Sequence, residues 1–168
     1  MKRTLIFVCF VVFASIKADA QQTPQFSQNM FNKLANNPGF AGSMEAICAT
    51  ALHRQQWIGF GDGRPVTTNL SVDAGVPAIY GGVGLNIVNE TIGQYDNLGL
   101  QLSYAYRTEL GYGQVGTGIS LGMYQSSLDG SSLNPANSGD PALPTADAQG
   151  SALDFGFGIY YNLSLIHI

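Results

Sequence analysis

Charge is scarce in this chain. Only 11% of its 168 residues are Asp, Glu, Lys or Arg, against about 25% in an ordinary soluble domain. Seven Lys and Arg stand against eleven Asp and Glu. That balance argues against nucleic acid as a partner, because phosphate binding needs Lys- and Arg-rich faces. Histidine occurs twice and cysteine twice, which leaves little for metal or nucleophile chemistry. Beyond the N-terminus, no run reaches the 18 or more apolar residues of a membrane-spanning helix. No G-x-S-x-G marks a hydrolase nucleophile. What the chain has in excess is glycine, 21 residues, where about 7% is usual.

The opening reads as a secretory signal. Lys2 and Arg3 supply the positive end, Leu5 to Ile16 the apolar run, and Ala18-Asp19-Ala20 the small-residue cleavage site. The mature chain is expected to begin at Gln21. The run is short for a spanning anchor and ends at Lys17. Cleavage removes Lys2, Arg3, Lys17 and Asp19, leaving four basic and ten acidic residues, a formal charge of −6. Cys9 leaves with the signal. Cys48 then has no internal disulfide partner and reads as a small apolar residue.

Residues 21–44 do not look like a strand. Thr23-Pro24 predicts the start of a short helix, with Thr as cap and Pro in the first turn. Phe26, Met30 and Leu34 would share one face, and Asn37-Pro38-Gly39 would end it. Six strand segments follow, at about 46–58, 66–76, 79–88, 97–107, 114–125 and from 152 to 161. In the second, Val66, Leu70 and Val72 alternate with Thr67, Asn69, Ser71 and Asp73. In the third, Ile79, Val83, Leu85 and Ile87 oppose Gly82, Gly84 and Asn86. The fourth to sixth repeat the pattern, with Leu102, Leu121 and Phe157 on the apolar side and Gln101, Ser120 and Gly156 on the other. Side chains alternate across a strand, so each segment is greasy on one face and polar on the other. The first segment has no clean phase. Arg54 is turned inward, because a lipid-facing Arg at mid-membrane costs roughly 2–4 kcal/mol.

Such segments build either a soluble sandwich or a membrane barrel. Length favours the barrel: the segments run to about ten residues or more, whereas soluble strands average about 5–6 and a tilted membrane strand needs about 9–11. Loop lengths agree. With a periplasmic N-terminus, residues 59–64, 89–96 and 126–150 lie outside, while 76–78 and 108–113 are short periplasmic turns, so the longest loop is external. Tyr104, Tyr106 and Tyr161 fall outward near the periplasmic rim, where an aromatic girdle belongs. The fold class is therefore all-β, an antiparallel transmembrane β-barrel. Six strands make only an incomplete half-barrel, because bacterial barrels start at eight.

Little in the chain carries chemistry. His53 would be needed beside a nucleophile in a barrel lipase, and nothing nearby supplies one. Gly82-Val83-Gly84 begins a dinucleotide fingerprint, but Ile87 stands in place of the third Gly, and the segment is a strand. Asp129, Asp140 and Asp147 have no calcium-loop spacing. No catalytic, cofactor or metal residue is assigned. Five residues remain as lumen or partner candidates. Trp57 is either a rim aromatic or an anchor for a partner. Arg54 is the inward charge of the first strand. Asp73, Arg107 and Asp154 share the polar parity, and either pair inside the barrel or line a surface that grips cargo. Gly116, Gly118 and Gly122 leave room on the inner wall for a plug or peptide, or for a small tapering barrel.

Gln25-Phe26-Ser27-Gln28-Asn29-Met30-Phe31-Asn32-Lys33-Leu34, then Asn36-Asn37-Pro38-Gly39-Phe40-Ala41-Gly42-Ser43, resemble the mature N-terminal signature of the PorP/SprF family. Arg54-Gln55-Gln56-Trp57-Ile58-Gly59 and Pro65-Val66-Thr67-Thr68-Asn69-Leu70-Ser71 resemble its next block, and Gly81-Gly82-Val83-Gly84-Leu85 and Leu102-Ser103-Tyr104-Ala105-Tyr106-Arg107 continue it. The resemblance implies an outer-membrane barrel of the type IX secretion system, non-enzymatic, serving secretion or surface attachment of adhesins and other cargo in gliding bacteria. Implied partners are outer-membrane lipid, other type IX components and a secreted cargo protein, with no cofactor and no small-molecule substrate. Family members are longer than this chain. Leu163-Ser164-Leu165-Ile166-His167-Ile168 resembles the translation of a transposon adapter, so a non-native tail is expected at 163–168 and the partial barrel at 45–162. A passive channel or adhesin-type barrel is the alternative, and a lipid-modifying barrel enzyme using His53 a third reading.

Overall fold

The computed structural model of the protein describes residues 26–130 and 147–163. Six strands form one antiparallel sheet in simple sequence order: β1 (Ile47–Gln55), β2 (Val66–Val76), β3 (Gly81–Ile92), β4 (Tyr95–Leu110), β5 (Gly113–Leu128) and β6 (Ala148–Leu163). Each strand pairs only with its sequence neighbours, so β1 and β6 are open edges. The architecture is the expected open half-barrel.

The register confirms the two-faced reading. Leu85 pairs with Leu102, and Leu102 with Leu121. Val72 pairs with Leu85, and Ile119 with Phe157. Leu70, Leu85, Leu102, Leu121 and Phe157 therefore share one face. Asn69, Asn86, Gln101, Ser120 and Gly156 share the other. Arg54 pairs with Thr67, which places it on the polar face, and Cys48 lies beside Asp73 on the same face.

The usual arrangement of burial is inverted. Asn69 and Thr67 are 0% and 1% exposed, whereas Phe157 and Leu102 are 67% and 55% exposed. The buried apolar core among the described residues is only Leu34, Ala41 and Ala105. A sheet with its polar face covered and its apolar face bare suits hydrocarbon outside and a filled interior. No described helix is long and apolar enough to cross a membrane, which says nothing of the strands.

Several boundaries depart from the sequence expectation. The alternation of apolar side chains ends where the apolar band ends, but the hydrogen-bond ladder continues on polar residues. Hence β4, β5 and β6 each reach 16 residues, about 53 Å at 3.3 Å per residue. The expected loop at 89–96 shrinks to Gly93-Gln94, and that at 108–113 to Gly111-Tyr112. Gly93 and Gly111 take φ values of +61° and +63°, as two-residue hairpins require of their first position. Ile79 is not in β3. Pro77–Ile79 forms a 3-10 turn ended by Tyr80 at φ +53°, because Pro cannot donate to the ladder. β1 stops at Gln55 rather than residue 58, since Trp57 at φ +52° leaves the extended conformation. Leu163 pairs with Gly113 as the last residue of β6. The rest of the tail expected at 163–168, residues 164–168, the signal at 1–20 and the helix start at Thr23-Pro24 lie outside the described residues.

The expected N-terminal helix is absent from the described residues. The segment from Ser27 to Asn36 is a chain of single turns, with Phe31 N–H bonded to Gln28 O at 3.1 Å and Asn36 N–H to Lys33 O at 3.2 Å. Met30 is 63% exposed while Leu34 is buried, so no apolar face forms. Asn side chains compete for backbone groups and favour turns over helix. Asn32 does so here, its Oδ1 accepting from Ala35 N–H at 3.4 Å.

Candidate functional site

The polar face of the sheet is occupied by the chain's own N-terminal segment, residues 32–45. The seat is made by what the strands lack. A Cβ added at Gly39 would lie 2.7 Å from Gly116 O and 2.9 Å from Gly158 O. One added at Gly82 would meet Gly42 Cα and Ala41 O, and one at Gly84 would stand 2.7 Å from Leu34 Cδ1. Glycine in a strand marks close approach of another backbone, and here that backbone is identified. Of the three glycines expected to leave room, Gly116 and Gly118 receive Pro38 and Gly39, whereas Gly122 faces Leu100 O and Asp154 instead.

Hydrogen bonds fix the segment along its length. Asn37 caps the 3-10 turn Pro38–Phe40: its Oδ1 accepts from Gly39 N–H at 2.9 Å, and its Nδ2 donates to Ile159 O of β6 at 3.0 Å. Gly42 N–H donates to Asp73 Oδ2 at 2.9 Å. Arg107 Nη1 donates to Ala41 O at 3.3 Å. Asn32 donates to Asn69, accepts from Ser71 Oγ at 2.8 Å, and Asn69 in turn donates to Asn86 Oδ1 at 2.7 Å. That row of amides crosses from the segment through β2 to β3. Around the rim, the Phe40 ring meets Tyr160 edge-on at 5.1 Å, and Lys33 Nζ lies over both rings while donating to Tyr160 Oη at 3.3 Å. Buried polar groups need partners, and the segment supplies them for Asn69, Ser71 and Asp73.

A match to a family model, Type IX secretion system membrane protein PorP/SprF, covers residues 18–165. The chain belongs to the PorP/SprF family. It is therefore a membrane component of type IX secretion, a system whose family is not one of known enzymes, and it works with other components of that system. No curated protein and no solved structure matches the chain. Within this PorP/SprF chain, the block Asn36–Ser43 that carries the resemblance is the part seated on the glycine floor.

The five candidate residues separate. Asp73 and Arg107 both meet the segment, one residue apart on it, through Gly42 and Ala41. They do so without forming an ion pair with each other among the described residues. Asp154 is exposed on the edge strand opposite Gly122, away from both. Arg54 lies on the polar face of the other edge. Trp57 is in the β1–β2 loop, exposed, with its ring 5.8 Å from Phe60. Arg107 Nε and Nη2, Ser43 Oγ and Ser103 Oγ are buried with no hydrogen-bond partner among the described residues. His53 faces outward; its Nδ1 is 3.0 Å from Thr68 Oγ1 and its Nε2 3.0 Å from Gln55 Nε2. Sequence reading missed Asn32, Asn37 and Asn69 as the bonds that hold the segment. The signal available was a polar Asn at the centre of the strand with the cleanest alternation.

Proposed function

We propose that this protein is a non-enzymatic β-barrel of the outer membrane that anchors secreted cargo, such as an adhesin, at the cell surface for type IX secretion and gliding. The N-terminal 20 residues act as a cleaved signal, and the mature chain begins at Gln21. The apolar face of Leu70, Leu102, Leu121 and Phe157 meets lipid. The short turns at Pro77–Ile79 and Gly111-Tyr112 face the periplasm, and the β1–β2 and β5–β6 loops face outward.

The observation that carries this reading is the bare apolar face on a sheet whose polar face is filled, in a chain of the PorP/SprF family. Burial of so much apolar area is worth about 25 cal/mol per Å², and lipid is the partner that can supply it along every strand at once. The test is a gene deletion read at the cell surface. Loss of a surface adhesin with unchanged levels of other outer-membrane proteins supports anchoring. Recovery of the mature protein as a soluble periplasmic species would overturn it.

A further inference from the structure

We propose that residues 32–45 are a fixed plug that closes the barrel lumen at its turn end, so the protein is a docking platform and not a conduit. This rests on the outer-membrane barrel reading and goes beyond it, because a barrel of the same kind can equally hold an open water-filled channel.

Three independent observations place the plug. First, the segment reaches across the sheet. Within fourteen residues it bonds or abuts β2 at Asn69 and Asp73, β3 at Gly82 and Gly84, β4 at Arg107, and β5 and β6 at Gly116 and Gly158. Second, the fit is close: an added Cβ would strike the segment's backbone at Gly82, Gly116 and Gly118 and its side chains at Gly84 and Gly158, so the segment sits directly on the wall. Third, all of these contacts except the amide row fall in the half of the strands nearest the Pro77–Ile79 and Gly111-Tyr112 turns. The other half is more open on β4 to β6, where Gln101 is half-buried and Asp154 exposed, although Thr67 on β2 is buried. A barrel blocked at one end and open at the other is a blind vestibule. Solutes cannot cross it, while a protein segment entering from the loop end can lodge in it.

The experiment uses the whole protein extracted from outer membranes and placed in planar bilayers. Wild type is expected to give no conductance steps, and a variant lacking residues 32–45 is expected to give them. Conductance by wild type equal to that of the deletion overturns the plug, and so does a deletion variant that assembles and stays silent. Should the deletion fail to assemble, a cysteine pair decides. A Cβ at Gly84 would stand 3.4 Å from Leu34 Cγ, so Leu34→Cys with Gly84→Cys, in a Cys48→Ser background, is placed to form a disulfide. The bond forming in nearly all outer-membrane molecules, with silent bilayers, supports a resident plug. Absence of the bond, or conductance with the bond formed, overturns it. A soluble product in the same fractionation would instead sink the membrane reading and is told apart by flotation.

Discussion

Gly39 has little freedom. It is wedged between Gly116 O and Gly158 O, which belong to the backbones of two paired strands and cannot step aside. Gly39→Val is expected to destabilise the folded protein by about 1–3 kcal/mol, the usual cost of overpacking, read as a lower urea midpoint of its heat-modifiable form. At Asp73 the bond to Gly42 N–H separates geometry from charge. Asp73→Asn keeps an acceptor oxygen there, whereas Asp73→Ala leaves the buried N–H unpaired at a cost of about 1–3 kcal/mol. The Ala variant is expected to lose clearly more than the Asn variant in the same unfolding series. Equal losses would show that the carboxylate's charge matters and its contact does not.

Strands have two sides, and adjacent residues on β4 report them. Leu102 points out and Gln101 points in. Leu102→Arg is expected to cost about 2–4 kcal/mol in vesicles, as a charge near the bilayer midplane does. Gln101→Arg sits beside Ser120 on the polar face and should cost less than half as much; similar losses at both sites would mean that no lipid contacts this sheet. Period-two alternation made these faces legible in sequence, because from β2 onward outer residues are mostly apolar and inner ones mostly small or polar. The strand ends were not legible. Hydrogen-bond ladders extend through Asp96, Asn97 and Ser126, residues with no apolar partner to mark them. The segment from Phe26 to Leu34 misled for a related reason: its spacing mimics a helix face, yet Asn32 and Asn37 spend their side chains on strands that no local pattern reveals. The glycines told of a close approach but not of what approaches.

At the scale of the molecule, the two open edges decide behaviour. β1 and β6 present unpaired backbone groups, and in hydrocarbon each costs several kcal/mol. In water the same edges and the bare apolar face drive association. These 168 residues expressed alone are expected to form inclusion bodies, checked by sedimentation of the lysate. A monodisperse monomer without detergent would contradict both the membrane reading and the open sheet.

The plug also sets an order of events in time. Asn32 and Gly42 bond to β2, which follows them closely in the chain, but Asn37 bonds to Ile159, 122 residues later. Closing so long a loop is slow and comes after local pairing. The N-terminal segment is thus half moored early and locked only when the sixth strand arrives. Until then its Pro38–Phe40 turn is open to a protease. Completion of this part of the wall can be timed by the moment that cleavage stops, which makes residues 32–45 a built-in clock for the sixth strand of the sheet.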